Sequence, residues 1–318
     1  MVSLLRKLSP FPKCAFLSLI SGGLFLLWNQ MESHGYTTAS QPTLGSYAVE
    51  FFGLRSCSQV TWSHAVNSRE RLQAAVTPTS STMMLEADVI LSYSKGIPVM
   101  AHPPSTDSNL TLEEFLQISL GARRGVKLDF KTLEAVKPSL DILASKSQHF
   151  IDVPVFLNAD ILSPSCVNKT AVDAKKFIQY CTELFPRGEL SLGWVSHSSP
   201  ESHARECHRN GHLQWETVHE MASLCKPLKQ SVTFPVNVRV AYQNLEQVKW
   251  LLHQSTRYSL TLWVYYQDNV PLKDLVYLYK DLINEKVYYD LAHLEDKLNE
   301  ELPENIRFRQ SGKRNDSD

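Results

Sequence analysis

Residues 83–91 read Met-Met-Leu-Glu-Ala-Asp-Val-Ile-Leu, and residues 126–131 read Val-Lys-Leu-Asp-Phe-Lys. Successive side chains of a β-strand point to opposite faces, so Leu85, Ala87 and Val89 share one face while Glu86 and Asp88 share the other. Val126, Leu128 and Phe130 separate from Lys127, Asp129 and Lys131 in the same way. Charges at this spacing inside apolar strands are anomalous, because a withdrawn carboxylate needs compensation. The strands of a parallel barrel turn one face to the surrounding helices and the other to the lumen, and the charged face reads as the lumenal one.

Short apolar, β-branched runs of this kind recur along the chain, at Gln59 to Trp62, Met83 to Leu91, Val126 to Phe130, Val153 to Leu157, Leu190 to Trp194, Val232 to Val236, Tyr258 to Val264 and Val287 to Tyr289. Helical patterns alternate with them, at Ser68 to Ala75, Thr111 to Leu120, Leu133 to Ala144, Ala171 to Leu184, Gln214 to Cys225, Leu245 to His253, Leu272 to Asn284 and Leu291 to Leu302. Thr111, with Glu114 three residues on, reads as a capping box. Eight strand–helix units predict an α/β fold of the (β/α)8 barrel type. The rival is an open doubly wound sheet, but no Gly-rich phosphate-binding loop follows the first strand.

The 318 residues are 43 % hydrophobic and 20 % charged, which excludes disorder and fibrous classes. Thirty-two basic residues balance thirty-three acidic ones, so the charge gives no reason for a nucleic-acid partner. Six cysteines without a C-x-x-C pair leave any metal to oxygen and imidazole ligands.

At the N-terminus, Arg6, Lys7 and Lys13 precede an uncharged run from Cys14 to Trp28. Fifteen helical residues span about 22 Å against a hydrocarbon core of roughly 30 Å, so residues 1–30 read as a signal peptide or a type II signal anchor. A polar linker over 31–45, a barrel over 46–303 and a flexible tail over 304–318 complete the division. Either reading sends the body through the secretory pathway, secreted or held by a single anchor, with the membrane touched only through that segment. The sequons at Asn109, Asn168 and Asn315 agree with export. Cys57, Cys166, Cys181, Cys207 and Cys225 are then either paired or buried and reduced. The cluster His197, His203, His208 and His212 reads as loop.

Glu86, Asp88 and Asp129 repel one another on one end of a barrel unless a cation bridges them, and hard oxygen ligands point to Mg²⁺, with Ca²⁺ as the alternative. The competing reading is that Lys127 or Lys131 neutralises Asp129. Asn158 and Asp160 continue the pattern after the fourth strand. His64, past the first strand, and His102, after the run ending at Ala101, fall at the rim where barrel enzymes work. Asn67, Trp194 and Trp263 complete the expected pocket, though barrel packing also accounts for the tryptophans.

The stretch Leu85-Glu-Ala-Asp-Val-Ile-Leu and the run to His102 resemble the metal-binding strand and second histidine of glycerophosphodiester phosphodiesterases and spider-venom-type phospholipases D. More closely, Val60-Thr-Trp-Ser-His-Ala-Val-Asn67, Ala101-His-Pro-Pro104, Lys127-Leu-Asp-Phe-Lys131, Leu157-Asn-Ala-Asp-Ile-Leu162, Val232-Thr-Phe-Pro-Val236 and Tyr258-Ser-Leu-Thr-Leu-Trp263 resemble the menorin family. The resemblance runs from about Gly45 to Leu294. It implies a barrel of the phospholipase C-like phosphodiesterase type, a divalent cation on Glu86, Asp88 and Asp129, His64 and His102 as acid and base, and Lys131 as a phosphate contact. The phosphodiesterases carry Arg-Gly after the first histidine where this chain has Ala65-Val66, which leaves hydrolysis and ring-forming transesterification both open. The implied partner is a phosphodiester small molecule or lipid head group. The alternative is a non-catalytic, cell-surface recognition protein with protein partners.

Overall fold

The computed structural model describes residues 47–146, 148, 153–164, 170–195, 213–265, 270–282, 284–291 and 294–302. The expected leader, linker and tail lie outside them, as do Asn168, Asn315, Cys166, Cys207 and the cluster from His197 to His212. No helix among the described residues is long and apolar enough to cross a membrane.

Nine strands form one sheet: β1 (Trp62–Ser63), β2 (Met84–Leu91), β3 (Pro98–Met100), β4 (Gly125–Phe130), β5 (Val155–Leu162), β6 (Glu189–Trp194), β7 (Val232–Asn237), β8 (Tyr258–Trp263) and β9 (Val287–Asp290). Eight run parallel in the order β1-β2-β4-β5-β6-β7-β8-β9, while β3 folds back antiparallel on β2. The last strand returns beside the first, giving a nearly closed (β/α)8 barrel as expected. The helices are α1 (Tyr47–Phe51), α2 (Arg69–Ala75), α3 (Leu112–Gly121), α4 (Leu133–Ser145), α5 (Ala174–Leu184), α6 (Trp215–Cys225), α7 (Val238–Gln243), α8 (Leu245–His253), α9 (Leu272–Asp281) and α10 (Glu295–Glu301). The outward strand residues Leu85, Val126, Leu128, Leu157, Leu190 and Leu262 join helix residues such as Phe115, Leu140 and Phe177 in one buried core.

Local chemistry explains where the boundaries differ from expectation. The first strand is 62–63 rather than 59–62, because Ser56 accepts a hydrogen bond from the Ser58 amide and turns Cys57–Gln59 into a short 3₁₀ helix. The fifth strand in this numbering runs to Leu162, so Asn158 and Asp160 lie inside it rather than after it. Asp173 caps α5, which therefore starts at Ala174 and not at Ala171. The capping box at Thr111 forms on one side: Thr111 Oγ1 accepts from the Glu114 amide at 3.2 Å, whereas the Glu114 carboxylate takes Arg69 at 2.6 and 2.7 Å. The unpredicted α7 begins where Asn237 accepts from the Arg239 amide.

Parallel register decides what fills the lumen. Its lower end is an apolar plug in which the rings of Trp62, Phe156 and Tyr288 meet edge to face at 5.6–6.0 Å, with Met84 and α1 against them. Above it, Glu86 lies opposite Lys127 and Lys127 opposite Phe156. The next layer is polar: Asp88 opposite Asp129, Asp129 opposite Asn158, Asn158 opposite Ser191, and Ser191 opposite Thr233. Cys181 and Cys225 are free, buried thiols, and Cys57 is buried as well.

Candidate functional site

Two adjacent strands carry the acidic centre. Glu86, Asp88 and Asp129 each place a carboxylate oxygen within 4.8 Å of the others, so together they could hold a metal ion. Like charges this close repel, and the surrounding hydrogen bonds fix them in place. The Ala65 amide donates to Glu86 Oε2 at 2.8 Å. Asn67 Nδ2 donates to Asp88 Oδ2 at 2.6 Å, and the Asp88 amide returns a bond to Asn67 Oδ1. Asn158 Nδ2 donates to Asp129 Oδ1 at 2.7 Å and is itself held by the Ser191 hydroxyl. The turn that aims the Ala65 amide has φ of 54°, a left-handed conformation costing a non-glycine residue roughly 1–2 kcal/mol. Such local strain is typical of a functional constraint.

Lys131 sits between two of the carboxylates, with Nζ 2.8 Å from Asp88 Oδ1 and 2.5 Å from Asp129 Oδ2. The competing expectation of neutralisation by lysine is therefore met in part, by Lys131. Burial raises the Asp129 pKa, but Lys131, Lys127 and the bond from Asn158 outweigh it and hold the carboxyl below its ordinary range. Burial lowers that of Lys131, and Asp129 and Asp88 drive it well above the usual amine value. Among the described residues no lysine bridges Glu86. Burial pushes its carboxyl up, with Asp88 and Asp129 adding to the rise against His64. Lys127 is buried below, its ammonium 5.9 Å from the centre of the Trp62 ring.

His64 lies beside the cluster, held by a partner that no local sequence pattern announces. Its Nδ1 lies 2.8 Å from Oδ2 of Asp290, at the end of β9, and 3.4 Å from Glu86 Oε2. Burial lowers the imidazole pKa, but Asp290 and Glu86 outweigh it and raise it well above the ordinary value. Burial likewise raises Asp290, and His64 more than reverses it. The overlooked signal was position: Asp290 closes the run Val-Tyr-Tyr-Asp at the C-terminal end of the last barrel strand. Ser191 was missed for the opposite reason, since a serine in a strand looks ordinary.

Other expected residues are placed less tightly. The Ala101 amide bonds the Asp88 carbonyl, so His102 follows directly beside the acidic strand. Its ring is exposed, with Nδ1 on the Pro103 carbonyl at 2.6 Å, and among the described residues it makes no hydrogen bond to the carboxylates. Asp160 is not part of the three-carboxylate group. It lies over Gly193, where an added Cβ would meet Asp160 Oδ1 at 2.5 Å. Trp194, at the end of β6, and Trp263, at the end of β8, line a small cavity of about 30 Å³ with Pro164, Pro235 of the intervening β7, and Val240. Asn109 is exposed, and its side chain reaches Glu70.

The fold and this geometry define a class: a (β/α)8 barrel with an acidic, histidine-flanked centre at the C-terminal ends of its strands. A family model described as the Menorin N-terminal domain matches residues 56–295. Human Protein FAM151B is 37 % identical over 257 residues, covering 80 % of this chain and 87 % of that protein. The chain belongs to the menorin family. Among solved structures, KGPDC from Streptococcus mutans aligns with a TM-score of 0.39 at 10 % identity, covering 74 % of this chain and 90 % of that one. The HpcH/HpaI aldolase from Desulfitobacterium hafniense DCB-2 aligns with a TM-score of 0.39 at 11 % identity, covering 78 % and 95 %. Likeness at that level carries nothing about chemistry, and the barrel stands on its own strand order.

Proposed function

We propose that this protein is a divalent-cation-dependent phosphodiesterase that cleaves a phosphodiester small molecule or lipid head group, by hydrolysis or by ring-forming transesterification. The observation that carries the reading is the trio Glu86, Asp88 and Asp129, each anchored by a hydrogen bond from a neighbouring segment and all converging with His64 at one mouth. The donor set fits the cation: three carboxylates supply hard oxygen, which suits Mg²⁺ or Ca²⁺. The charge balance fits as well. Among the described residues four carboxylates, counting Asp290, face two lysines, leaving a deficit of two charges with His64 neutral and one with it protonated.

A bound divalent ion supplies Lewis-acid stabilisation of phosphoryl oxygens. Lys131 adds positive charge beside the same oxygens, worth several kcal/mol where water is scarce. His64 and His102 form the acid/base pair: one accepts the proton of the attacking water or substrate hydroxyl, and the other donates to the leaving oxygen. Asn67 and Asn158 orient the carboxylates, while Asp160, Trp194 and Trp263 shape the far side of the mouth. The charged N-terminal flank, the apolar run after it and the exposed Asn109 support entry into the secretory pathway, with glycans at Asn109 and Asn168.

The detached position of His102 favours a second reading, a recognition protein that keeps the fold and ion but turns nothing over. The test is purified protein assayed against a panel of phosphodiesters with and without Mg²⁺, Ca²⁺ and Mn²⁺. Ion-dependent release of product, abolished by His64→Ala and His102→Ala in folded variants, is expected. Silence across the panel, together with full biological activity of His64→Ala, would overturn the enzyme reading.

A further inference from the structure

The described residues contain no strand ladder between β9 and β1, where the barrel closes. What joins them at the mouth is a side-chain pair, Asp290 Oδ2 to His64 Nδ1 at 2.8 Å. Asp290 is 1 % exposed, and its second oxygen, Oδ1, is buried with no hydrogen-bond partner among the described residues. A buried carboxylate that spends only one oxygen on a protein partner is an expensive feature for a mere clasp, since an unsatisfied buried acceptor costs stability. The histidine it holds is 39 % exposed, and its Nε2 makes no hydrogen bond among the described residues. One ring nitrogen is thus fixed inward and the other left toward the mouth.

We propose that Asp290 is the positioning residue of this site: it fixes His64 with Nδ1 directed into the barrel wall, so that Nε2 is the nitrogen that meets a ligand. The inference rests on the phosphodiesterase reading for its purpose, but not for its geometry. An imidazole that handles protons must present one defined nitrogen, and the partner of the other nitrogen sets which one. A carboxylate on the inward Nδ1–H does so and also stabilises the ring when it carries charge. Glu86 Oε2 lies 3.4 Å from the same Nδ1, beyond hydrogen-bond length for that pair, and already accepts from the Ala65 amide at 2.8 Å.

The experiment is ¹H–¹⁵N long-range correlation NMR on the full chain labelled at histidine nitrogen, with and without Mg²⁺, using the loss of signal in His64→Gln for assignment. The wild type should show a strongly deshielded, slowly exchanging proton on Nδ1 of His64. Asp290→Asn, which keeps an acceptor, should retain that proton at higher field, and Asp290→Ala should lose it. Retention of the wild-type signal in Asp290→Ala, or a hydrogen-bonded proton on Nε2 in the wild type, overturns the proposal. Should Asp290→Ala fail to fold, an unshifted proton in Asp290→Asn overturns it equally. Against the best diester of the panel, Asp290→Ala should lower kcat about 100-fold with KM nearly unchanged, and Asp290→Asn should recover about a tenth or more of the lost rate. Equal kcat losses in the two variants would show a seam clasp and not a positioning residue. A wild type that turns over no diester sinks the phosphodiesterase reading alone, because the spectra still decide the role of Asp290.

Discussion

Replacing Lys131 by methionine separates two roles that the geometry gives to one ammonium group. Its Nζ touches both Asp88 and Asp129, so the substitution leaves two anions side by side with no cation between them. Removing one partner of a buried ion pair costs about 3–5 kcal/mol, and the 20 % exposure of the Lys131 side chain places this case near about 3. For a domain of this size that corresponds to a fall in Tm of roughly 6–12 °C without added ion. The second role concerns competition. In the wild type an entering divalent cation must displace an ammonium that already serves two of its three ligands. Lys131→Met removes the competitor, so the apparent Kd for Mg²⁺ or Mn²⁺ should fall at least about tenfold, equivalent to about 1.4 kcal/mol. Thermal unfolding across an ion titration reads both effects, because a ligand of the folded state stabilises it in proportion to the logarithm of its concentration over Kd. The variant should start below the wild type and close the gap as ion is added. Unchanged stability in the absence of ion, or an ion affinity equal to or weaker than that of the wild type, would refute the reasoning and leave Lys131 as a phosphate contact only.

Asn158→Leu removes the donor to Asp129 and strands the Ser191 hydroxyl; denaturant unfolding should show a loss of about 1–3 kcal/mol with an unchanged m-value. Gly193→Ala brings a Cβ to 2.5 Å from Asp160 Oδ1 and 3.1 Å from Pro235 Cγ, so it should cost about 1–3 kcal/mol in the same assay, and Asp160→Ala/Gly193→Ala should recover part of it. The buried thiols predict an alkaline limit. Burial raises the pKa of Cys181 and Cys225 above the ordinary thiol value, so the unfolded chain releases protons near pH 8.5 that the folded chain retains. The unfolded state then binds fewer protons, and stability is fully present below that pH and declines above it, by up to about 1.4 kcal/mol per pH unit per thiol. Cys181→Ala/Cys225→Ala should flatten the slope between pH 8 and 9.5, and an unaltered slope would assign the decline to other groups.

The barrel was legible because its strands announce themselves. Leu85, Ala87 and Val89 alternate with Glu86 and Asp88, and only a lumen gives such a polar face a common destination. The same alternation exposed the three carboxylates, since a charge between two buried apolar residues has few other places to go. What failed to show was pairwise. That Asp290 would meet His64 depends on closing the chain across 226 residues, and no local pattern encodes that seam. The Lys131 bridge was half visible, because Asp129 and Lys131 share a strand face, but its reach to Asp88 follows from the register between β2 and β4. The strand ends were misjudged where polar side chains intervened. Asn158 and Asp160 fall after the apolar run that ends at Leu157, because polar residues seldom prolong a strand, yet both lie inside the strand and on the face of a lumen that accepts them.

The distribution of polarity along the lumen governs how the site acts on its surroundings. Trp62, Phe156 and Tyr288 close the lower end with ring faces and edges, so the carboxylates above them have no aqueous path below. Their field is therefore expressed at the mouth, where low-dielectric walls focus it. Lys127 offsets part of that field from beneath, but its place against the Trp62 ring keeps it out of the carboxylate layer. Among the described residues the uncompensated charge at the entrance is negative, which attracts cations and repels phosphodiesters. Under the proposed function this imposes an order: a divalent ion must first reverse the sign at Glu86, Asp88 and Asp129, and Lys131, released from the two aspartates, then faces outward with a charge that an incoming phosphate can use. One lysine would thus stabilise the acidic centre before the ion arrives and recognise the substrate afterwards, which accounts for a basic side chain on the same strand face as the carboxylate it neutralises.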